Sequence, residues 1–172
     1  MTMHAYILNG EKIKVRKTEN KDLNYVIQTE RDVMHAKFIG QNSPEEHLAM
    51  MQHPDILHLI IESNELDAPV GYMILAGLKN IDNAVEIRRI AVSIKEQGYG
   101  SEALHLAIQL AFEEMKAHRV WLDVRVHNNI AQKAYESAGF VYEGILRDAA
   151  RIGSVYESVK IYSMLRPEYE AL

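Results

Sequence analysis

The stretch that decides the fold reads Val85-Glu86-Ile87-Arg88-Arg89-Ile90-Ala91-Val92 and continues as Ser93-Ile94-Lys95-Glu96-Gln97-Gly98-Tyr99-Gly100-Ser101. A β-branched run with a carboxylate inside it passes through a short glycine-bearing loop and then enters a long amphipathic segment. A strand, a glycine loop and a helix in this order present backbone N–H groups and a helix N-terminus to an anion such as a phosphate. The sequence therefore indicates a class of ligand at the outset.

The composition sets limits on what the chain can do. Its 172 residues are 48% hydrophobic, which predicts one domain over residues 1–172 with a sizeable core. The formal net charge of −5 argues against broad nucleic-acid binding, because no basic excess is present to neutralise phosphates. The absence of cysteine excludes disulfides, thiolate zinc sites and cysteine nucleophiles.

Targeting and metal signals are also missing from the sequence. Residues 1–5 lack the basic-then-apolar pattern of a secretory signal, and no apolar run approaches the length of a membrane span. His47, His53 and His58 are close in sequence, but they do not form a ligand pair on a clear helix face. We therefore expect a soluble cytoplasmic protein with no metal site and no membrane partner.

The hydrophobic periodicity predicts an alternation of strands and helices. Early helices, a central hairpin and a closing β-α-β-α-β-β run are typical of an α/β or α+β layered domain with a mixed sheet. The predicted strands are 12–15, 56–62, 70–76, 84–92, 119–126, 140–147 and 155–164, and the predicted helices are 18–34, 43–54, 98–117 and 130–138.

The glycine loop is open to two interpretations. Gly98 and Gly100 remove side chains that would keep phosphates from the backbone, and the N–H groups of Gln97, Tyr99 and Ser101 point into the same concavity. Taken alone, a G-x-G pair is weak evidence for a phosphate site, and the simpler interpretation is a glycine-bearing loop that starts a helix. No Gly-Lys-Ser/Thr follows, and the third glycine of a dinucleotide fingerprint is missing, which disfavours two common nucleotide-binding motifs.

A second motif lies downstream and runs Asn128-Asn129-Ile130-Ala131-Gln132-Lys133-Ala134-Tyr135-Glu136-Ser137-Ala138-Gly139-Phe140. A strand ends at an asparagine, a short helix carries a tyrosine, and Gly-Phe closes the segment. Taken alone, Asn128 is interpreted as a helix cap and Tyr135 as a core aromatic residue.

The two motifs together, in this order and at this spacing, resemble the GNAT superfamily of acetyl-CoA-dependent N-acetyltransferases. Residues 95–100 occupy its Arg/Gln-x-x-Gly-x-Gly/Ala signature, with Lys95 as a departure at the first position. Residues 128–140 match every fixed position of its later Asn-x-x-Ala-x-x-x-Tyr-x-x-x-Gly-Phe motif. The C-terminal segments at 143–147 and 156–165 resemble the branch that contains ribosomal-protein alanine and spermidine (diamine) acetyltransferases.

This resemblance implies a fold and a cofactor site. The sheet is expected to be mixed, mostly antiparallel and six- to seven-stranded, flanked by helices and splayed between the fourth and fifth strands. Acetyl-CoA is the implied cosubstrate. Its diphosphate would lie on the loop, and its pantetheine arm would follow the fourth strand to the end of the fifth. The implied binding residues are Ile90, Ala91, Val92, Lys95, Gln97, Gly98, Tyr99, Gly100, Ser101, Asn128 and Tyr135.

The resemblance also implies catalytic roles. Tyr135 would stand near the thioester sulfur, where a phenol can donate a proton or a hydrogen bond to the departing thiolate. Glu86 would act as general base for the acceptor ammonium, although an ion pair with Arg88 is an equal alternative. Strict alternation would place Glu86, Arg88 and Ile90 on one face of the strand and Ile87, Arg89 and Ala91 on the other.

The expected function is N-acetylation of a primary amine, on a small molecule or a peptide N-terminus, by direct attack in a ternary complex. Residues 32–44 and 149–156 would hold the acceptor, and a homodimer is expected by analogy with relatives. The alternative is a non-catalytic acyl-CoA-binding sensor or interaction module. The presence of both Tyr135 and Glu86 favours the enzyme, because a binding module needs only the loop and Asn128.

Overall fold

A computed structural model describes residues 6–172; the first five residues, which bear on the absence of a signal sequence, lie outside the described part. The chain forms one eight-stranded sheet with the order β1-β2-β3-β4-β5-β6-β8-β7. The strands are β1 Tyr6–Asn9, β2 Ile13–Lys17, β3 Ile56–Ser63, β4 Ala68–Ala76, β5 Ala84–Val92, β6 Arg119–Arg125, β7 Val141–Ile152 and β8 Val155–Leu165. The helices are α1 Leu23–Arg31, α2 Val33–Ala36, α3 Pro44–Gln52, α4 Tyr99–Gln109, α5 Asn129–Ser137 and α6 Arg166–Glu170.

The predicted mixed α/β architecture is confirmed. Every pair of neighbouring strands is antiparallel except β5 and β6, which run parallel. All seven predicted strands are present, and the eighth is the four-residue edge strand β1, which pairs only with β2. A strand this short carries too few alternating positions to stand out in the sequence.

The prediction of one continuous helix over residues 18–34 is wrong. A 3₁₀ turn at Asn20–Asp22 precedes α1, and the chain leaves the helical conformation at Asp32, where ψ is 135°. The Asp32 carboxylate accepts a hydrogen bond from the Met34 amide at 2.9 Å and so starts α2 as an N-cap. The helical periodicity therefore covers two helices that meet at a capping residue.

The two sheet faces carry two separate cores. The larger core lies against α4, which buries Leu104 and Ile108. A π-helical turn over Leu110–Glu114 continues α4 and buries Ala111 and Phe112. The smaller core lies under α1 on the opposite face and consists of Val26, Ile60, Tyr72, Ile74 and Ala91. The sheet is therefore anchored on both faces at β3, β4 and β5.

The parallel strands β5 and β6 part soon after they meet. Their ladder runs from the Ala84–Arg119 pair to the Glu86–Trp121 pair, and no further pairs join them among residues 6–172. The rest of β5 stays paired with β4, and the rest of β6 stays paired with β8. The predicted splay between the fourth and fifth strands of the sequence is thus present, as a wedge-shaped opening between β5 and β6.

A bulge in β5 changes which side chains face this opening. Ile74 pairs with Arg89 and Leu75 pairs with Ile87, so Arg88 is an extra residue without a partner on β4. Ile87, Ile90 and Val92 consequently contact the larger core, whereas Ala91 contacts the smaller one.

The strict alternation expected from the sequence is wrong across this bulge. Arg89 and Ala91 share the α1 face with Glu86, while Ile90 moves to the face that Ile87 occupies. An extra residue shifts the two-residue period by one, so every side chain beyond it changes face relative to the expected pattern.

The close approach of β4 and β5 gives a stability prediction at Gly71. A Cβ atom added there would lie 2.5 Å from the Ala91 carbonyl oxygen, which is backbone and cannot move aside. We expect Gly71→Ala to lower the free energy of unfolding by about 2 kcal/mol in urea titrations. Gly40→Ala is the control, since its nearest neighbour would be an Arg89 side-chain atom at 3.6 Å. Equal stability of the two variants would contradict the prediction.

Candidate active site

The loop after β5 ends in a helix start that is open to an anion. Gly98 has a φ of 78° and precedes α4, and its carbonyl accepts the first intrahelical hydrogen bond, from Glu102 N. The N–H groups of Tyr99, Gly100 and Ser101 therefore have no partner within the helix. Eleven helical residues in α4 add the positive end of a helix dipole at the same place.

A cation that the sequence did not reveal lies beside this loop. The Nζ of Lys12, in the turn between β1 and β2, donates a hydrogen bond to the Gln97 carbonyl at 3.2 Å. It lies 2.9 Å from the position a Cβ at Gly98 would occupy. Lys12 is 85 residues upstream of Gln97, so no local motif could have linked the two.

Two side chains of the loop point away from the anion site. Tyr99 is buried, and its hydroxyl shares a hydrogen bond of 3.2 Å with Ser63 Oγ, so only its amide is available to a ligand. The Nζ of Lys95 donates to His35 Nε2 at 2.9 Å, while His35 Nδ1 donates to the Thr29 carbonyl. Lys95 therefore holds the loop against the segment after α1.

The walls of the opening between β5 and β6 hold the other predicted cofactor residues. Ile90, Ala91 and Val92 keep their pairing with β4, but their backbone has no pairing with β6. Unpaired main-chain groups along an opened strand can pair with amides of an extended ligand, as a strand would. The residues present therefore suit an amide-containing arm that leads toward the glycine loop.

Asn128 and Tyr135 lie at the opposite side of the opening. The Asn128 side chain caps α5 by accepting a hydrogen bond from Ala131 N at 3.3 Å. The ring of Tyr135 packs 6.1 Å from both Phe140 and Tyr162, measured between ring centroids. Both local interpretations, a cap and a packing aromatic residue, are therefore present in the structure.

The Tyr135 hydroxyl is nevertheless not consumed by this packing. It makes no hydrogen bond within the described part of the chain, and burial raises the pKa of Tyr135 to about 12, with a further contribution from the charge on Asp123. A phenol with this pKa stays protonated at neutral pH and can donate a proton or a hydrogen bond.

Glu86 forms the ion pair that was its alternative role. Its Oε2 accepts from Arg88 Nε at 3.0 Å and from Arg88 Nη2 at 2.9 Å. The bulge brings these two residues together on the exposed side of β5. The geometry therefore places a structural partner on the carboxylate that was predicted as general base.

Asp123 is a candidate that the sequence reasoning missed. It lies on β6 beyond the point where the strands part, and its carboxylate makes no hydrogen bond or ion pair within residues 6–172. The residue is accessible from the opening, yet burial of its carboxyl raises the pKa of Asp123 against the lowering effect of Arg125, Arg89 and Arg88. The sequence does contain a signal for this residue. Asp123 points to the face of β6 opposite Val120, Leu122 and Val124, which are buried in the core.

A buried polar network fixes the α1 side of the opening. Glu30 accepts hydrogen bonds from Tyr72 Oη at 2.7 Å, Arg89 Nη1 at 2.5 Å and the Asn42 amide at 2.9 Å. Burial alone would raise the pKa of Glu30, but the His47 ring, whose Nε2 lies 3.1 Å from Glu30 Oε1, hydrogen bonds from Asn42 and Tyr72 and the charge of Arg89 lower it to about 2. Glu30 thus ties β5, beside its bulge, to the loop between α2 and α3.

The histidines do not gather into a metal site in the described residues. No group of three or more His, Asp or Glu side chains that could hold a metal is present between residues 6 and 172. His47 and His58 are buried and share a hydrogen bond of 3.1 Å, and burial lowers the pKa of His58 to about 4. His127 instead packs its ring 5.4 Å from Phe38, next to the opening.

Comparison with known proteins identifies the class that this fold and site define. Residues 24–140 match the model of the acetyltransferase (GNAT) family. The chain belongs to this family of acetyl-CoA-dependent acetyltransferases, and acetyl-CoA is accordingly its cosubstrate. The described residues contain no helix long and apolar enough to cross a membrane.

Individual relatives agree with this assignment. The chain is 35% identical over 74 residues to Bacillus subtilis YjcK, named as an N-acetyltransferase, and spans 41% of that protein. It is 26% identical to B. subtilis YdaF, named as a ribosomal N-acetyltransferase, over 94% of this chain and 95% of YdaF. The spermidine N-acetyltransferase of Vibrio cholerae in complex with CoA and spermine has the same fold, with a TM-score of 0.82, 20% identity, and coverage of 94% of this chain and 99% of that one.

The Glu30 network gives a prediction on stability. Glu30→Gln leaves the Arg89 guanidinium buried without its counter-charge, and we expect the free energy of unfolding at pH 7 to fall by about 3 kcal/mol. In the folded state the pKa of Glu30 is lowered to about 2. The loss of stability relative to the unaltered protein is therefore complete above the ordinary pKa of glutamate, and it shrinks as the pH falls from there toward the lowered pKa.

Urea titrations between pH 3 and pH 7 measure this difference. Glu65→Gln is the matched control, since Glu65 lies exposed in the turn between β3 and β4. If Glu30→Gln were no less stable than Glu65→Gln at pH 7, the network would not stabilise the fold as described.

Proposed function

We propose that this acetyltransferase moves the acetyl group of acetyl-CoA to a primary amine by direct attack in a ternary complex. The observation that carries the proposal is the opening between β5 and β6. It ends at the donor-rich loop before α4 and has Tyr135 and Asp123 at its β6 side. One opening therefore suits the acyl carrier, a proton donor and a proton acceptor together.

The cofactor-binding residues are proposed from the geometry of the loop and strand. The amides of Gln97, Gly98, Tyr99, Gly100 and Ser101 would hold the diphosphate, with Lys12 adding a positive charge. Ile90, Ala91 and Val92 would pair with the pantetheine amides through their free backbone groups, and the Asn128 amide would add a donor. Lys95 is proposed to act indirectly, because its side chain contacts His35.

The reaction requires three proton transfers. The acceptor ammonium first gives up one proton, and its nitrogen then forms a bond to the thioester carbonyl carbon. The carbon–sulfur bond breaks to release a thiolate, which takes a proton, and the nitrogen gives up its second proton to leave the neutral amide and to restore the proton donor. We assign protonation of that thiolate to Tyr135, whose hydroxyl has no partner in the described part of the chain.

Two carboxylates compete for the proton of the acceptor. Asp123 fits this role better than Glu86, because Glu86 is held by Arg88 whereas Asp123 is unpaired within residues 6–172. An ion-paired carboxylate is a weaker base than an unpaired one in a partly desolvated site. Glu86 then holds the bulge of β5 through its pair with Arg88.

The role of Tyr135 is tested by its phenylalanine variant. Tyr135→Phe keeps the ring packing but removes the hydroxyl, so we expect kcat to fall by about 100-fold while acetyl-CoA affinity stays close to that of the unaltered protein. Thiol release with an amine panel measures kcat, and calorimetry measures affinity. Tyr142→Phe, an exposed tyrosine on β7, is the control. Unchanged turnover in Tyr135→Phe would reject the assignment.

The two carboxylates are separated by rate–pH profiles. Because burial raises the pKa of Asp123, kcat/KM should decline on the acid side at a higher pH than an ordinary aspartate would give. Asp123→Asn should lower kcat by about 100-fold and abolish this acid-side limb, whereas Glu86→Gln should retain it. Loss of the limb in Glu86→Gln alone would return the role of general base to Glu86.

The alternative expected from the sequence, an acyl-CoA-binding module without catalysis, is disfavoured by the membership of the chain in the acetyltransferase family. The unengaged Tyr135 hydroxyl and Asp123 carboxylate favour the enzyme, because a binding module would need neither. Binding of acetyl-CoA without turnover on polyamines, amino acids, amino sugars and peptides would support the module instead.

The setting of the enzyme is also a proposal. We propose that residues 1–172 act as one cytoplasmic acetyltransferase domain without a nucleic-acid, membrane or metal partner. A homodimer is supported by the outer strand β7, where Val141, Tyr142, Ile145 and Leu146 are each about half exposed. Sedimentation of the purified protein tests the dimer independently of activity.

A further inference from the structure

The charges around the opening are arranged in pairs on one sheet face. Apart from Asp22 and Glu62, which both bind Arg16 on β2, five carboxylates of residues 6–172 are placed on the α1 face around the opening by their contacts or their strand register, and four of them have an arginine partner. The pairs are Glu86–Arg88 at 2.9 Å, Glu30–Arg89 at 2.5 Å, Glu143–Arg119 at 2.6 Å and Glu157–Arg125 at 3.6 Å. A carboxylate paired with an arginine offers less attraction to another cation than an unpaired one. The Glu157–Arg125 pair is the loosest of the four, since the buried Oε2 of Glu157 accepts no hydrogen bond within the described residues.

Asp123 is the fifth carboxylate and differs from the others. Within residues 6–172 it has no ion pair, although Arg125 on the same face of β6 and Arg88 and Arg89 on β5 act on it through their charges. Two of its neighbours on this face are apolar, Trp121 on β6 and Ile161 opposite it on β8, and both are partly exposed. The face therefore offers one carboxylate without an ion pair, next to apolar side chains and to arginines.

This pattern suits some amines better than others. A polyamine carries several ammonium groups spaced along a flexible chain, and each one that enters a protein site needs a carboxylate to replace its hydration. Here a second ammonium would meet a carboxylate already held by arginine, or the arginine itself. A monocationic amine needs only Asp123, and its uncharged remainder can contact Trp121 and Ile161.

We propose that the site selects monocationic primary amines with an uncharged remainder over polyamines; a neutral peptide with a free α-amine serves as the monocationic probe below. This inference rests on the proposed function, since it assumes that the amine is acetylated in this opening. It separates this chain from the structurally similar Vibrio cholerae enzyme, which is named for spermidine and was crystallised with spermine.

The first test compares acceptors on the unaltered protein. The probes are an Ala-initiated tripeptide amide without charged side chains, spermidine and spermine, each at saturating acetyl-CoA. We expect kcat/KM for the peptide to exceed that for either polyamine by about tenfold or more, the effect of one unfavourable charge contact. Spermidine turned over as well as the peptide would overturn the inference and leave the proposed function standing. Acetylation of no amine at all would overturn both.

The second test removes one arginine from its pair. Arg88→Gln frees the Glu86 carboxylate, so we expect the ratio of spermidine to peptide kcat/KM to rise by about tenfold. Arg31→Gln changes the net charge equally at an exposed position at the end of α1 and is the matched control. An unchanged ratio in Arg88→Gln, or an equal rise in both variants, would overturn the assignment of selectivity to local charge pairing.

Discussion

The structure depends on one constraint, which is that two parallel strands start a ladder and then separate. Beyond the Glu86–Trp121 pair, the facing edges of β5 and β6 have main-chain groups that the sheet does not satisfy. Such groups are costly when they are buried and unpaired. Separation is tolerated because β4 and β8 hold the two strands on their other edges and because the cores against α4 and α1 fix the sheet on both faces. The opening is therefore rigid, and a ligand can complete the missing hydrogen bonds.

Charge neutralisation is the second principle of this face. Around the opening, Glu86, Glu143 and Glu157 each pair with an arginine of the sheet, and Glu30 connects its arginine to a helix and a loop. The pairs cost desolvation energy but define where backbone and side chains lie. Asp123 has no such pair within residues 6–172, and it lies close enough to the tyrosine proposed to protonate the leaving group for its charge to raise the pKa of that tyrosine.

Local patterns predicted much of the fold. The glycine loop, the helix predicted from residue 43 and the amphipathic segment that follows the loop depend on residues close in sequence, and all three are present. The break at Asp32 was missed because a capping aspartate also fits inside a helical period. The bulge at Arg88 was missed because it arises from pairing with β4, which no pattern within β5 encodes.

The site was less accessible to sequence reasoning for the same reason. The roles of Lys12 and Glu30 come from contacts with residues 85 and 59 positions away in the chain. Asp123 lies outside both family motifs, and its only signal in the sequence is its position among alternating residues that are buried. The face of each β5 side chain could be predicted only up to the bulge.

The loop after β5 is fastened to the first helices by two hydrogen bonds, Tyr25 Oη to Ser93 Oγ at 2.7 Å and Lys95 Nζ to His35 Nε2 at 2.9 Å. The same helices lead into the Asn42 segment that borders the acceptor side. The proposed binding sites of the two substrates are thus connected through the same helices. Binding of one substrate that shortens these hydrogen bonds can therefore change the affinity for the other substrate. By thermodynamic linkage, the second substrate then changes the affinity for the first by the same factor.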